Sequence, residues 1–414
     1  MSDGPSTRRL VLWVGFVAFC TLAMAYLPFA DMALPVIGHV TYYQVLLLGA
    51  ALAGALPLLR MAGSPERSRS RTVSRIIVAY LLFEVLIVIP VAISLGGAGV
   101  SLILDTAAIR FTWLLFPVVV AICADRTARK RAGAVVAVAA GALALWGVYL
   151  AATGGGGYYL DSGELRFRIL YGGATLLFAW PFALAASGAV SRKLTIALLG
   201  VSLVGLTLTN HRSGLIAFAI TGVLCVVMSG QVRRLVPWIV PAALIAAVAG
   251  LLWGQQANSI FGYTLTHLFD VVSGNGADRL MRWRLAWEFF TTHPINDYVW
   301  SWRYYLVHLQ EGYQPHNFAL EIAVTEGVAG LAFYASVLGV AFRDAWKWGR
   351  KDAEARALIG YLVAYLVFVF ANASWYLPVN FALMVGGVAA LVARIDHLRK
   401  DERGCASRGQ VSSE

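Results

Sequence analysis

The chain has 414 residues, of which 59% are apolar and only 13% are charged, and its mean hydropathy is +0.70. Soluble domains carry roughly 25% charged residues, so this composition excludes a single water-soluble core. A net charge of +11 would indicate a nucleic-acid partner in a soluble protein. Here the basic residues follow a membrane topology instead, and we expect no nucleic-acid partner.

Apolar runs close to the roughly 20 residues that cross a bilayer recur along the whole chain. They predict an all-α polytopic membrane protein with about twelve transmembrane helices and a single integral membrane domain over 1–414. The predicted spans are 10–30, 40–59, 76–94, 104–124, 132–151, 169–190, 194–209, 214–230, 235–253, 318–342, 357–371 and 381–393. The first run continues beyond Ala23-Met24-Ala25, which resembles a signal-peptide cleavage site, so we expect this helix to stay uncleaved.

The distribution of basic residues orients these spans. Most of the 33 Lys and Arg residues fall in every second connection and in the tail 394–414. Because connections rich in Lys and Arg remain cytoplasmic, we predict that both termini and this tail are cytoplasmic. The long connection 254–317 then lies on the opposite, extracytoplasmic side.

Ionisable residues inside the predicted spans are few, and Glu84 in the third span is the clearest. A carboxylate at membrane depth is a functional candidate by default. The alternative is a side chain that is hydrogen-bonded between packed helices, and the sequence leaves both interpretations open.

The long connection 254–317 is predicted to contain an amphipathic helix over 278–290. Ser273 to Gly276 are predicted to form a turn before this helix, and Asp278 is predicted to cap it. Pro294 follows the helix end. A long ordered loop in a compact protein is usually functional.

One stripe of this helix holds Trp283, Trp287 and Phe290, with Arg279 and Arg282 beside it. Such a helix can lie in the lipid headgroup layer, with its arginines on lipid phosphates. It also suits a lipid-linked phosphate ligand, because Arg presents a bidentate fork to phosphate oxygens.

Pro315-His316-Asn317-Phe318 comes directly before the tenth span. Pro315 is predicted in the first turn of that helix, which would put His316 at a helix N-terminus. The positive end of the helix dipole disfavours a protonated imidazole, so His316 is a candidate general base for a hydroxyl. The alternative is a solvated interfacial histidine.

A second polar turn, Thr209 to Gly214, contains His211 and Arg212 and joins the seventh and eighth spans. The outer connections hold no ligand pattern for a metal and no nucleotide-binding glycine pattern. We therefore expect no metal and no cofactor. A reaction on the outer face would need a substrate that arrives already activated and membrane-tethered.

Three segments resemble motifs of the O-antigen ligase and O-antigen polymerase superfamily of bacterial envelope glycosyltransferases. The turn Asn210 to Gly214 is similar to its Ser-Arg-Gly type turn. Arg279 to Trp283, followed by His293-Pro294, is similar to its Arg-x-x-x-Trp helix that ends in His-Pro. Pro315 to Glu321, with Glu326-Gly327, is similar to its His-Asn-x-x-Leu-Glu segment and Glu-Gly pair. The sequence departs after His-Pro, where Ile295 to Tyr298 replaces the usual Gly-x-Gly turn.

The resemblance implies a metal-independent transfer of a glycan from an undecaprenyl-diphosphate carrier to a sugar hydroxyl on lipid A–core or another glycan acceptor. It implies a multi-pass protein of the bacterial inner membrane, in contact with membrane lipids, with its active site on the periplasmic face. His316 would be the catalytic base, and Arg212, Arg279 and Arg282 would bind the diphosphate. The supporting residues would be Asn317, His211 and Trp283.

Three functions fit this pattern. The compact connections and the His-Asn motif at the tenth span favour an O-antigen ligase. A polymerase that joins lipid-linked repeat units is the alternative within the superfamily. A lipid-linked sugar flippase or secondary transporter is the alternative from another class, and it would need a polar path through the bilayer involving Glu84.

Overall fold

The computed structural model describes residues 71–94, 96–97, 212–230, 275–292, 294, 315–370 and 378–411, together with short stretches between 113 and 206. The predicted spans 10–30, 40–59, 169–190 and 235–253 lie outside the described residues. The spans 104–124, 132–151 and 194–209 are described only in part. Four predicted spans, 76–94, 214–230, 318–342 and 357–371, coincide with described helices to within a few residues.

Helices dominate the described residues. They are α1 (Arg71–Phe83), α2 (Ile89–Ser94), α3 (Arg212–Ser229), α4 (Asn275–Thr292), α5 (Phe318–Phe342), α6 (Ala345–Lys351), α7 (Ala353–Phe370) and α8 (Pro378–Val411). A π-helical segment, Glu84–Val88, joins α1 to α2. Two short antiparallel strands, β1 (Gly157–Tyr159) and β2 (Leu165–Phe167), pair Tyr158 with Arg166. The sequence did not predict this hairpin.

Two helical segments of the described chain are long and apolar enough to cross a membrane, Phe318–Lys351 and Ala353–Phe370. The segment Ser213–Ser229 is apolar but shorter. The predicted last span, 381–393, falls inside α8, which continues as a helix to Val411.

Helix α3 packs antiparallel to α7. The Thr221 hydroxyl donates to the carbonyl oxygen of Gly360 at 3.0 Å, and the Cys225 thiol contacts the carbonyl of Arg356 at 3.8 Å. A Cβ at position 360 would lie 2.9 Å from Thr221 Cγ2 and 3.0 Å from Cys225 Sγ, so the two helices approach closely because this residue is glycine. The start of α3 therefore lies level with the end of α7.

Helices α5 and α8 also run antiparallel to α7. Glu321, in the first turn of α5, interacts electrostatically with Tyr365 near the end of α7. Arg394 of α8 forms a salt bridge of 2.7 Å with Asp352, directly before α7. The starts of α3 and α5 and the end of α7 thus share one end of the bundle, named here the His316 end. The opposite end is named the α6 end.

An aromatic core joins α1 to α5. The rings of Phe83 and Phe333 stack with centroids 4.9 Å apart, and Trp113 meets Phe333 edge to face at 5.3 Å. Glu84 follows Phe83, is half-buried, and interacts electrostatically with Tyr334 of α5. This position agrees with the interpretation of Glu84 as a polar side chain between packed helices.

Ion pairs connect the α6 end. Arg399 donates to Asp344 Oδ2 at 2.6 Å, while Lys347 and Lys351 donate to the two carboxylate oxygens of Glu402 at 3.0 and 3.1 Å. Hydrogen bonds from these two lysines lower the pKa of Glu402 below its ordinary value. The last part of α8 is thereby fastened to α6 and to the residue before it.

Candidate functional site

Helix α4 is present where the amphipathic helix was predicted, but it is longer at both ends. It spans Asn275–Thr292, so Asn275 and Gly276 belong to the helix and the predicted turn over 273–276 is wrong in part. Asp278 lies inside the first turn, and the prediction that it caps the helix is also wrong. The apolar periodicity predicted the middle of the helix. It could not predict the start, because the first residues of α4 carry no periodic apolar pattern.

Helix α5 begins at Phe318, where the tenth span was predicted to begin, and does not include Pro315, which was predicted in its first turn. Asn317 is the N-cap, and its side-chain oxygen accepts hydrogen bonds from the amides of Ala319 at 3.0 Å and Leu320 at 3.2 Å. Asn is among the best N-cap residues because it satisfies amides that have no helical partner. Pro315 is therefore outside the helix, not in its first turn, and His316 directly precedes the cap.

His316 adopts a left-handed backbone, with φ 51°. This conformation costs most L-residues about 1–2 kcal/mol, although His is enriched there. The side chain is half-buried. The structure thus places the predicted base at the start of α5 in a conformation that needs support from its neighbours.

Trp283 of α4 provides such support from across the site. Its indole Nε1 donates to the carbonyl oxygen of Pro315 at 2.7 Å, directly before His316. A hydrogen bond contributes about 1 kcal/mol net, which is comparable with the cost of the left-handed residue. The predicted supporting residue therefore contacts the main chain beside the predicted base.

Apolar contacts hold α4 against the first half of α5. Ala286 and Val324 are both buried, and Phe289, Phe290 and Leu320 pack against them. The residues of the predicted aromatic stripe differ in burial: Trp283 is half-buried, while Trp287 is 56% exposed. The ring centroids of Trp287 and Phe290 are 5.7 Å apart.

The arginines of α4 also differ in burial. Arg279 and Arg282 are half-buried, on the helix whose indole bonds to Pro315. Arg284 is exposed and pairs with Glu288 at 2.9 Å one turn later. The two predicted phosphate ligands of α4 are therefore held on an element that is fastened beside His316.

Helix α5 is broken at Gly327, a feature that the sequence analysis missed. Gly327 has φ 63° and ψ −157°, which only glycine adopts without strain. The amide of the next residue, Val328, donates to the carbonyl of Pro294 at 3.1 Å. The Glu326-Gly327 pair was the available signal, since a glycine inside a helical pattern can mark a break as well as a close contact.

Two acidic side chains are buried around this break. Glu321 is 4% exposed and Glu326 is 2% exposed. Both carboxylate oxygens of Glu321 lack a hydrogen-bond partner within the described part of the chain. A Cβ at Gly330 would lie 2.5 Å from Glu326 Oε2, so this glycine makes room for the carboxylate.

Arg212 is the first residue of α3, and its main chain lies at the His316 end. Nine residues separate it from Thr221, or about 13 Å along the helix, which puts it near the level of the last turn of α7. The side chain of Arg212 lies outside the described part of the structure. So do His211 and His293.

The structure thus gathers five predicted site residues on α4 and directly before α5: His316, Asn317, Trp283, Arg279 and Arg282. The main chain of Arg212 starts a third helix at the same end. No group of three His, Cys, Asp or Glu side chains within the described residues is arranged to hold a metal ion.

Residues 197–335 match the family model described as O-antigen ligase. The matched range includes α3, α4 and most of α5, and it contains all three motifs on which the resemblance rested. The expected resemblance is therefore confirmed for this part of the chain. A search of curated proteins finds no match.

Proposed function

Starting from a chain that carries an O-antigen ligase domain over residues 197–335, we propose that this protein is an O-antigen ligase-like glycosyltransferase. It transfers a glycan from undecaprenyl diphosphate to a sugar hydroxyl on lipid A–core. The family's members are glycosyltransferase-like enzymes of bacterial membranes, and the donor, the acceptor and the mechanism are what we add.

The observation that carries this proposal is the contact between Trp283 and Pro315. It brings the helix that bears Arg279 and Arg282 against the main chain that bears His316. A transferase for a diphosphate-linked sugar needs cationic side chains and a base near one reacting carbon. Both are present here on elements that are packed together.

In the proposed reaction, the acceptor hydroxyl attacks the anomeric carbon of the donor sugar, and the bond from that carbon to the diphosphate oxygen breaks. His316 takes the proton of the attacking hydroxyl. Arg212, Arg279 and Arg282 neutralise the charge that grows on the leaving diphosphate. In-line attack inverts the configuration at the anomeric carbon.

The proposed location is the bacterial inner membrane, with both termini in the cytoplasm and the His316 end on the periplasmic face. The direction of α3, α5, α7 and α8 within the bundle supports this arrangement, because successive crossings must alternate. The basic residues of α6 and α8 lie at the opposite end, as the distribution of charge requires.

The test is the lipopolysaccharide ladder of the host bacterium after deletion of the gene, with complementation by wild type, His316→Ala or His397→Ala. We expect the deletion to leave core without repeats while polymer accumulates on its lipid carrier. His397, at the α6 end, pairs with Asp401 at 3.5 Å and serves as the matched control, which should restore the ladder. His316→Ala should not.

Three results would contradict the proposal or one of its parts. Core with a single repeat and no ladder would identify a polymerase instead. A ladder unchanged by the deletion would indicate another glycan or a transport function. Full complementation by His316→Ala would refute the role of the base while leaving the pathway intact.

A further inference from the structure

We propose that Trp283 is a positioning residue for His316: its indole N–H fixes the peptide unit between Pro315 and His316 and so holds the imidazole in its reactive position. This inference rests on the proposed function, because it requires His316 to act on the substrate. It gives Trp283 a role other than that of an aromatic anchor in the lipid headgroup layer.

One peptide unit connects the hydrogen bond of Trp283 to the backbone of His316. The carbonyl of Pro315 and the amide nitrogen of His316 belong to the same planar group. The φ angle of His316 is the rotation of this plane about the bond from its nitrogen to its Cα. A hydrogen bond of 2.7 Å from Trp283 to the Pro315 oxygen therefore opposes rotation that would relax φ from its left-handed value of 51°.

The other side of His316 is fixed by the helix. Asn317 has extended backbone angles and caps α5 through two hydrogen bonds. The main-chain oxygen of Asn317 also accepts from the amide of Glu321 at 2.8 Å. His316 thus lies between a peptide unit held by Trp283 and a residue held by α5, which leaves the direction of its Cα–Cβ bond little freedom.

The position of the indole is itself fixed by packing. Ala286, three residues after Trp283 and hence on a neighbouring face of α4, is fully buried against Val324. The carbonyl of Pro294, beyond the end of α4, accepts from Val328 at 3.1 Å. The two hydrogen bonds lie at opposite ends of the contact between α4 and the first half of α5, so α4 cannot slide along α5 without breaking one of them.

Trp287 shows what an aromatic anchor looks like on the same helix. It lies one turn after Trp283 and is 56% exposed, while the Trp283 N–H is directed at a protein carbonyl. If both residues served the headgroup layer alone, their replacement would have similar effects. If Trp283 positions His316, only its replacement will slow the chemical step.

The experiment compares Trp283→Phe, Trp287→Phe and a site-specific replacement of Trp283 by benzothienylalanine, which has the indole shape but no N–H. Each full-length variant is assayed in proteoliposomes with a lipid-diphosphate-linked glycan from the host and lipid A–core from the deletion strain. We expect both Trp283 variants to lose about 10- to 100-fold in kcat, since small misplacements of a reacting group have effects of this size. KM for the donor should stay within about twofold, and Trp287→Phe should keep wild-type kcat.

Each outcome has a separate meaning. Wild-type kcat in the benzothienylalanine variant would overturn the inference, even if Trp283→Phe were inactive through misfolding. A loss that appears in KM alone would overturn it also, because the indole would then bind substrate. His316→Ala is measured in parallel: wild-type kcat in that variant would refute the proposed role of His316 as the base, whereas an inactive His316→Ala beside a fully active benzothienylalanine variant would refute only the role of Trp283.

Discussion

The two ends of α5 carry the two non-glycine residues with positive φ in the described part of the chain, and they are stabilised in different ways. His316 precedes the helix with φ 51°, and Asp344 follows it with φ 62°. At the α6 end, the side chain of Asp344 itself is bound, by Arg399 at 2.6 Å. At the His316 end, the hydrogen bond from Trp283 goes to the preceding carbonyl and does not involve the imidazole.

This difference shows how the same backbone conformation can serve structure or chemistry. The side chain of Asp344 is 46% exposed. Ion pairs that are exposed to solvent contribute little to the stability of the folded state. The bond to Pro315 is part-buried and uses main-chain atoms. A main-chain support makes no use of the imidazole, which in the proposed mechanism acts on the substrate.

The largest expected effect comes from a comparison of two single variants, His316→Asn and Asp344→Asn. Asn tolerates the left-handed conformation at either position. His316→Asn keeps a compatible backbone and removes the base, so the transfer rate should fall about 10²- to 10⁴-fold. Asp344→Asn removes the charge that Arg399 binds, and the transfer rate should remain within about twofold. Initial rates with the lipid-linked donor measure both. Equal losses in the two variants would mean that the ends of α5 do not differ in function.

The next effect concerns the break in α5. Gly327→Ala places a Cβ on a residue with φ 63° and ψ −157° and should destabilise the protein by about 1–3 kcal/mol. Gly339→Ala is the matched control, because position 339 is helical and a Cβ there meets nothing within 4 Å. It should be neutral or stabilising by up to about 1 kcal/mol. Thermal unfolding in detergent compares them, and a neutral Gly327→Ala would show that the break is not needed for folding.

A smaller effect is expected from the ion pairs before α7. Asp352 binds Arg394 at 2.7 Å, with both side chains less than one fifth exposed, and also caps the amide of Ala355 at 2.8 Å. Asp352→Ala should lower the free energy of unfolding by about 1–2 kcal/mol, mainly through the lost cap. Glu354 Oε2 lies 3.2 Å from Arg394 Nε, so the guanidinium would remain paired in Asp352→Ala. Denaturation curves of Asp352→Ala and the exposed control Asp401→Ala would separate a local effect from a general effect of charge.

The smallest effect concerns pH. Because Lys347 and Lys351 lower the pKa of Glu402 below its ordinary value of 4.5 in the folded protein, the contact stabilises the folded state above that value. The stabilisation is lost as the pH falls through the lower, folded pKa. Burial acts in the opposite direction on Asp396, whose pKa is raised, so protonation of that residue favours the folded state. The melting temperature of Glu402→Gln should therefore fall slightly less than that of wild type between pH 6 and pH 3.

Much of this architecture could be predicted from local sequence. The apolar period of α4 and the length of the apolar run in α5 are properties of neighbouring residues. The Asn317 cap is also local, but Pro315 was predicted in the first turn instead. The φ angle of His316 could not be predicted, because it is stabilised by Trp283, which lies 32 residues before its acceptor Pro315. The break at Gly327 depends likewise on the carbonyl of Pro294. The motifs placed His316, Arg279 and Arg282 on the correct elements, but the contacts that hold those elements together are tertiary.

The two main-chain contacts at Pro294 and Pro315 have a consequence for how this protein can evolve. Both prolines are tied to the same pair of helices, one through Val328 and the other through Trp283. The sequence between them, 295–314, therefore begins and ends at anchored points. The entropic cost of closing a loop grows only with the logarithm of its length, so insertions, deletions and substitutions in this stretch can accumulate without moving either anchor. In the proposed mechanism, changes in the sequence between the two prolines would leave His316, Arg279 and Arg282 on their anchored elements.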